Sequence, residues 1–209
     1  PLVTMSGRSF VDTLASSAPA PGGGSVASLC GAMSVALSAM VGTLTHGKKG
    51  YESVFEAHCK NSIRAQALKD AFLADIDNDT EAFNGIMAAM KLPKKTDEDR
   101  NNRSLAMTEA TRTAINVPLG VLERTVDAIA VAEVAATGNA NARSDAGVAA
   151  LTAQAAAEGA FYNVLINLDG FDDEAYAEEA KQRAEAALSE VTTRCDALTA
   201  SIRSELRGN

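Results

Sequence analysis

The sequence predicts an all-α fold: a single-domain helical bundle over residues 1–209, with one long buried helix of small side chains. Three observations carry this expectation. Apolar residues recur at helical rather than alternating spacing along nearly the whole chain. No segment has the β-branched density of a strand. Aromatic residues make up only 4% and Trp is absent, so a core of Ala, Val, Leu, Ile and Met must form between closely approaching helices.

Taken in order, the elements begin with a short helix over 9–16, with Phe10 and Leu14 on one side. Residues 25–45 form the buried helix. The chain between Asp12 and Lys48 carries no charge, long enough to span a bilayer. Its scattered Ser, Thr, Gly and Ala instead indicate a helix packed on all sides by neighbours. A long helix follows from about Glu52 to about Lys91, with one possible break. Pro93 ends it, and Thr96 caps the next, with Asp97, Glu98 and Asp99 in its first turn. Pro118 kinks or restarts that helix because it lacks an N–H. The stretch 119–136 closes at Gly138-Asn139, read as a left-handed stop. Ser144-Asp145 caps an Ala-rich helix reaching Leu168, Asp169-Gly170 is a turn, and residues 172–206 form the last helix. Ala180, Ala184, Ala187, Leu188 and Val191 lie along its apolar stripe. Such a stripe packs within the chain or between subunits, and a two-fold homodimer is the commonest form of the latter.

The bulk numbers exclude several functions. Hydrophobic residues make up 46% and charged residues 22%, as in ordinary globular domains. A net charge of −8, with no long basic run, argues against nucleic acid as partner. Cys30, Cys59 and Cys195 are odd in number and widely spaced, which fits a reducing compartment, and the cytosol is expected. The first eight residues lack a basic stretch followed by an apolar core, so no secretory leader is expected. His46 and His58 have no ligand spacing with each other or with a carboxylate, so no metal is expected.

Two features point to chemistry. Pro21-Gly22-Gly23-Gly24-Ser25 stands directly before the uncharged helix. The glycines let a ligand approach the main chain, and a helix beginning there aims unpaired N–H groups at it. The same residues read equally as a flexible linker with Ser25 as N-cap. The spacing is neither a dinucleotide fingerprint nor a P-loop.

The second feature is Asp79. Phe72, Ile76, Phe83, Ile86 and Met90 recur in steps of three and four with one gap, and Asp79 fills it. A carboxylate on an apolar face is costly unless it is paired or lines a cavity, and desolvation raises its pKa toward the range of a general base. The alternative is a structural Asp bonding a neighbouring helix end. Asp77 points nearly the opposite way and reads as solvent-facing. Lys48, Lys49 and Lys94 stand in two basic clusters suited to carboxylates, or simply to water. Asn139, Ser144 and Asp145 form a polar junction that either binds or caps. One of Asn163 and Asn167, a turn apart, faces something polar.

Together the motifs carry a resemblance: Ser17-Ala-Pro-Ala-Pro-Gly-Gly-Gly-Ser25, Leu44-Thr-His-Gly-Lys-Lys49, Asp77-Asn-Asp-Thr-Glu-Ala-Phe83 and Lys91-Leu-Pro-Lys94. Asn116-Val-Pro-Leu119, Gly138-Asn-Ala-Asn-Ala-Arg-Ser-Asp-Ala-Gly147 and Asn163-Val-Leu-Ile-Asn167 continue it. In this order they resemble the cyclodeaminase/cyclohydrolase family of folate enzymes over nearly the whole chain. The resemblance implies an all-α homodimer that binds a tetrahydrofolate without metal or cofactor, with a catalytic Asp in the 77–79 stretch. The stripe favours Asp79 over Asp77. Lys48-Lys49-Gly50-Tyr51 looks closest to stand-alone methenyltetrahydrofolate cyclohydrolases. Hydrolysis of 5,10-methenyltetrahydrofolate to 10-formyltetrahydrofolate is therefore the expected activity. Cyclodeamination of 5-formiminotetrahydrofolate is the alternative within the family, and a non-catalytic folate-binding scaffold the alternative outside it. In this reading Pro21, Gly22, Gly23, Gly24 and Ser25 pass close to the substrate. Lys48, Lys49 or Lys94 holds its glutamate tail. Asn139, Ser144 and Asp145 hydrogen-bond the pterin, and Asn163 is a further substrate-binding residue.

Overall fold

The computed structural model describes residues 1–208, and among these there is no strand. Six helices run α1 (Gly7–Leu14), α2 (Gly23–Thr45), α3 (Phe55–Met90), α4 (Asp97–Ala135), α5 (Arg143–Leu168) and α6 (Glu174–Leu206), with 3-10 turns at Leu2–Thr4, Glu52–Val54 and Ala140–Ala142. The uncharged α2 is the centre of the bundle and packs on α3, α5 and α4, while α6 covers α4 and α5. By length and composition α2 could cross a membrane, yet 56% of its most apolar window is buried by these neighbours.

Small residues set the spacing. Ala27, Val35, Ala39, Ala149, Ala150, Ala153, Ala157 and Ala160 share one core cluster with Leu119, Leu122, Ile129 and Phe72. The hydroxyls of α2 are bonded locally or across: Ser38 donates to the Ser34 carbonyl, and Ser34 to Ala149. Gly31 makes room for the fully buried ring of Phe72. A Cβ there would stand 2.5 Å from Phe72 Cε1 and 2.6 Å from Cδ1. Gly31→Ala is therefore expected to lower stability by about 1–3 kcal/mol through overpacking, read as a shift of the urea midpoint at unchanged slope.

Several elements differ from the sequence reading. α1 begins two residues early, on a Ser6 side-chain cap, with Phe10 buried but Leu14 exposed. α3 is unbroken over 36 residues. α4 opens on the expected Thr96 cap, whose hydroxyl accepts from the Asp99 N–H while Asp99 returns the bond. That helix then runs straight through Pro118. The ring removes the bond to the carbonyl one turn earlier, that of Ala114. Asn167 Nδ2 donates to this orphaned carbonyl at 2.8 Å, which is how the helix continues. Gly138 is not a left-handed stop, since its φ is not positive. It is small because a Cβ would run into Thr45 Oγ1 and stand 2.7 Å from His58 Cε1. Ser144 and Asp145 do not cap α5, which starts at Arg143 behind Ala142. The capping falls to Asn139, whose Oδ1 accepts from the Asn141 N–H in the preceding 3-10 turn. The Asp169-Gly170 turn stands, with Gly170 at φ 72°, and Asp173 caps α6. On α6 the stripe Ala180, Ala184, Ala187 and Val191 is buried, with Leu188 partly so.

Candidate active site

The N-terminus of α2 has no cap of its own. Gly22 occupies the N-cap position without a side chain to offer, and the helix starts at Gly23, two residues before Ser25. Ser25 is thus inside the first turn, fully buried, and is not an N-cap. The missing cap comes from α3. Asp79 Oδ2 accepts a 2.8 Å hydrogen bond from Ser25 Oγ, and the carboxylate also accepts from the Ser25 backbone N–H. An anion at the first turn is favoured by the unpaired N–H groups and the helix dipole. Burial nevertheless dominates and raises the Asp79 pKa above the usual carboxylate range, with the two Ser25 bonds pulling the other way.

Gly24 is what allows this approach. A Cβ at position 24 would lie 2.6 Å from Asp79 Cγ. Gly23 plays a similar part toward α5, where a Cβ would meet Asn163 Nδ2 at 3.3 Å. The result is a cleft of about 160 Å3 whose lining includes Gly22–Gly24, Asp79, Thr80, Phe83, Asn163 and Asn167. Both asparagines are oriented by their amide nitrogens: Asn163 Nδ2 donates to Gly159 at 2.8 Å and Asn167 Nδ2 to Ala114. Their carbonyl oxygens are left for a ligand. Thr80 Oγ1 is buried in the same wall with no partner among the described residues. Pro21 is buried beside the loop. The cleft therefore offers a high-pKa carboxylate, two amide oxygens, a spare hydroxyl and exposed main chain. It can activate water and recognise donors on a flat polar ring.

Other expected site residues lie elsewhere. Asp77 does not face solvent: it is half-buried and accepts a 2.6 Å hydrogen bond from the Leu2 N–H, tying the N-terminal 3-10 turn to α3. Phe83 and Met90 are 39% and 51% exposed, so the buried stripe runs instead through Phe72, Ile76, Ala82 and Ala89. Phe83 is a cleft wall rather than core. Lys94 stands beyond the end of α3, about three turns past Asp79, near Arg100 and Arg103.

Lys48, Lys49, Asn139, Ser144 and Asp145 sit at the opposite end of α2. That helix is about 35 Å long at 1.5 Å per residue. There Lys48 Nζ donates to Asn139 Oδ1 and lies 5.7 Å from the Tyr51 ring centroid. Asn139 is buried, its N–H on Thr45 Oγ1 at 2.9 Å and its Nδ2 on the Leu44 carbonyl at 3.1 Å. Lys49 and Ser144 are exposed, and Asp145 is half-buried. Within one chain these residues cannot touch a ligand bound at Asp79.

Sequence reasoning missed Thr80 and the Asp75–Arg124 ion pair. Asp75 is only 7% exposed and accepts from Arg124 Nη2 at 3.0 Å. Nothing in the spacing marks Thr80. Asp75, one residue before Ile76, lies on the stripe's edge and could have been read from it. Among the described residues no three His, Cys, Asp or Glu side chains come together as a metal site.

Comparison with known proteins places this architecture. Residues 6–186 match the model of a family described as formiminotransferase-cyclodeaminase. The chain is 44% identical over 185 residues to the methenyltetrahydrofolate cyclohydrolase of Methylorubrum extorquens, covering 88% of each. It is 40% identical over 189 residues to the formimidoyltransferase-cyclodeaminase of Sus scrofa, covering 89% of this chain but 35% of that one. The crystal structure of formiminotetrahydrofolate cyclodeaminase from Thermotoga maritima superposes with a TM-score of 0.82 at 30% identity, over 97% of this chain and 99% of that one.

Proposed function

Since the chain belongs to the formiminotransferase-cyclodeaminase family, we propose that it is a methenyltetrahydrofolate cyclohydrolase, converting 5,10-methenyltetrahydrofolate and water to 10-formyltetrahydrofolate in a reversible reaction. One observation carries the choice within the family. The chain is 44% identical to a cyclohydrolase over 88% of each, against 40% to the bifunctional enzyme and 30% to the cyclodeaminase of known structure.

The chemistry asks for little, and the cleft holds it. The methenyl carbon lies between two nitrogens that share a positive charge. An ionised Asp79 beside it lowers the energy of the cation and takes one proton from the attacking water. The oxygen bonds to the carbon, giving a neutral tetrahedral adduct. Its hydroxyl proton then passes to N5 as the carbon–N5 bond breaks, leaving the formyl group on N10 and one proton released overall. Burial raises the Asp79 pKa and so makes its carboxylate a stronger base than a solvent-exposed one. Gly22, Gly23 and Gly24 admit the ring edge, and Asn163 and Asn167 accept from the pterin's N–H groups. Ser25 holds Asp79 rather than the substrate. Lys94 is assigned to the glutamate tail of the substrate, as a cation suited to carboxylates. The scheme uses water and Asp79 and calls on no cofactor or metal.

The enzyme is read as a cytosolic homodimer with no nucleic-acid or membrane partner. The three cysteines are all free and the charge is −8. Apolar side chains stand exposed along α2 and α5, among them Met33, Met40, Leu44, Leu151 and Ile166.

The test is direct. Purified protein given 5,10-methenyltetrahydrofolate should bleach its absorbance faster than buffer and yield 10-formyltetrahydrofolate. If it instead releases ammonia from 5-formiminotetrahydrofolate and leaves the methenyl compound untouched, the cyclodeaminase reading replaces this one.

A further inference from the structure

Residues 1–22 form an arm that walls one side of the Asp79 cleft without joining the core. Phe10 and Pro21 are its buried residues, and none of its side chains belongs to either hydrophobic cluster. Val3, Val11 and Leu14 stand exposed at 39%, 60% and 38%. The arm's hydrogen bonds are local with one exception. Among the described residues, what ties it to another element before α2 begins is the Leu2 N–H, donated to Asp77 Oδ1 at 2.6 Å.

Both ends of the arm meet α3, on different sides of that helix. Leu2 sits at Asp77, whereas Pro19, Ala20 and Gly22 line the cleft beside Asp79. At 3.6 residues per turn the shorter way round α3 from Asp79 to Asp77 is about 160°, and it passes Phe83, Ile76 and Thr80. The arm starts at one edge of this sector and comes back at the other. Within the sector, Thr80 Oγ1 is shut off from water and bonds to nothing among the described residues. Opening the sector would give that hydroxyl a partner.

The cleft as it stands holds about 160 Å3, against roughly 300 Å3 at the lower end for ligand pockets. Admitting a pterin therefore requires a wall to yield. The walls supplied by α2, α3, α4 and α5 are packed on one another through the main core cluster, and the arm is not. We infer that residues 1–22 are a gate over the active site and that Asp77 is its latch, holding the arm down until substrate displaces it. This rests on the folate reading above. Asp77 then acts through the arm as a positioning residue, not as a second base beside Asp79. Substrate and latch compete, so apparent affinity is the intrinsic affinity scaled by the fraction of open molecules.

Binding and hydrogen exchange test the gate together. Asp77→Ala, which cannot accept from Leu2, should bind tetrahydrofolate about three- to ten-fold more tightly than wild type. Asp77→Asn keeps an acceptor oxygen and should stay within about two-fold of wild type. In free Asp77→Ala, amides of residues 3–22 should exchange several-fold faster, with those of α2 to α5 unchanged. The opposite manipulation locks the arm. In a Cys30→Ser, Cys59→Ser background, Leu2→Cys joined to Asp77→Cys by a short bis-maleimide should weaken tetrahydrofolate binding at least ten-fold relative to the same protein left unjoined. Equal or weaker binding by Asp77→Ala, or undiminished binding by the joined protein, would overturn the gate. If no form binds tetrahydrofolate while Asp77→Ala still frees the arm's amides, the folate reading falls and the latch stands. Unchanged exchange in the arm would reject the latch itself.

Discussion

Asp79→Asn should reduce kcat for methenyl hydrolysis by about 10²–10⁴-fold, the span attributed to a positioned general base. The amide keeps the volume and can still accept from Ser25 Oγ, so the lost quantity is the negative charge and the proton acceptor. The same change should not destabilise the fold. Burial raises the Asp79 pKa, so the folded state binds this proton more tightly than the unfolded chain does. Ionised Asp79 therefore costs stability at neutral pH. That cost is relieved as pH falls through the folded-state pKa toward the unfolded value near 4. Asn in its place should leave the thermal midpoint at pH 7 unchanged or higher. In the wild type, kcat should fall as pH drops through the same raised pKa, and this acid limb should be missing from the residual activity of Asp79→Asn. A variant retaining turnover within a few-fold of wild type would remove Asp79 as the base and favour a folate-binding scaffold.

Gly24→Val is expected to be nearly as damaging to catalysis, for a different reason. The first added carbon would stand 2.6 Å from Asp79 Cγ. The carboxylate is the end of a movable side chain, so it swings away rather than forcing the helices apart. A displacement of about 1 Å at a reacting group costs on the order of 10²-fold in rate. The expected result is a loss of about 100-fold in kcat, with a urea midpoint much less affected than by Gly31→Ala, whose Cβ meets a ring locked in the core. Equal activity of Gly24→Val and wild type would mean that Asp79 does not work from the position described.

How much was legible follows from the range of the forces involved. Helix existence and order came through because periodic burial and terminal capping are local: Thr96 with Asp99 and the positive φ of Gly170 could be placed from neighbours in sequence. Pro118 was misjudged because its remedy, the Asn167 amide on the Ala114 carbonyl, comes from another helix. Gly138 was misjudged in the same way, its smallness answering to Thr45 and His58 rather than to its own φ. At the site, the stripe selected Asp79 correctly as inward-facing although two of its supposed neighbours, Phe83 and Met90, are exposed. No spacing could show that the α2 cap it supplies comes from α3.

From the chain alone came the all-helical class, the uncharged central helix, the triglycine turn and one acid out of place among apolar neighbours. These are properties of composition and of a 3.6-residue repeat, which operate over a few turns. Only the packed structure decided that the acid lies against that turn, and that Lys48 and Asn139 stand a full helix length away from it. Distances between residues far apart in sequence are set by which helices pack together and in which direction, and a local repeat carries no record of either.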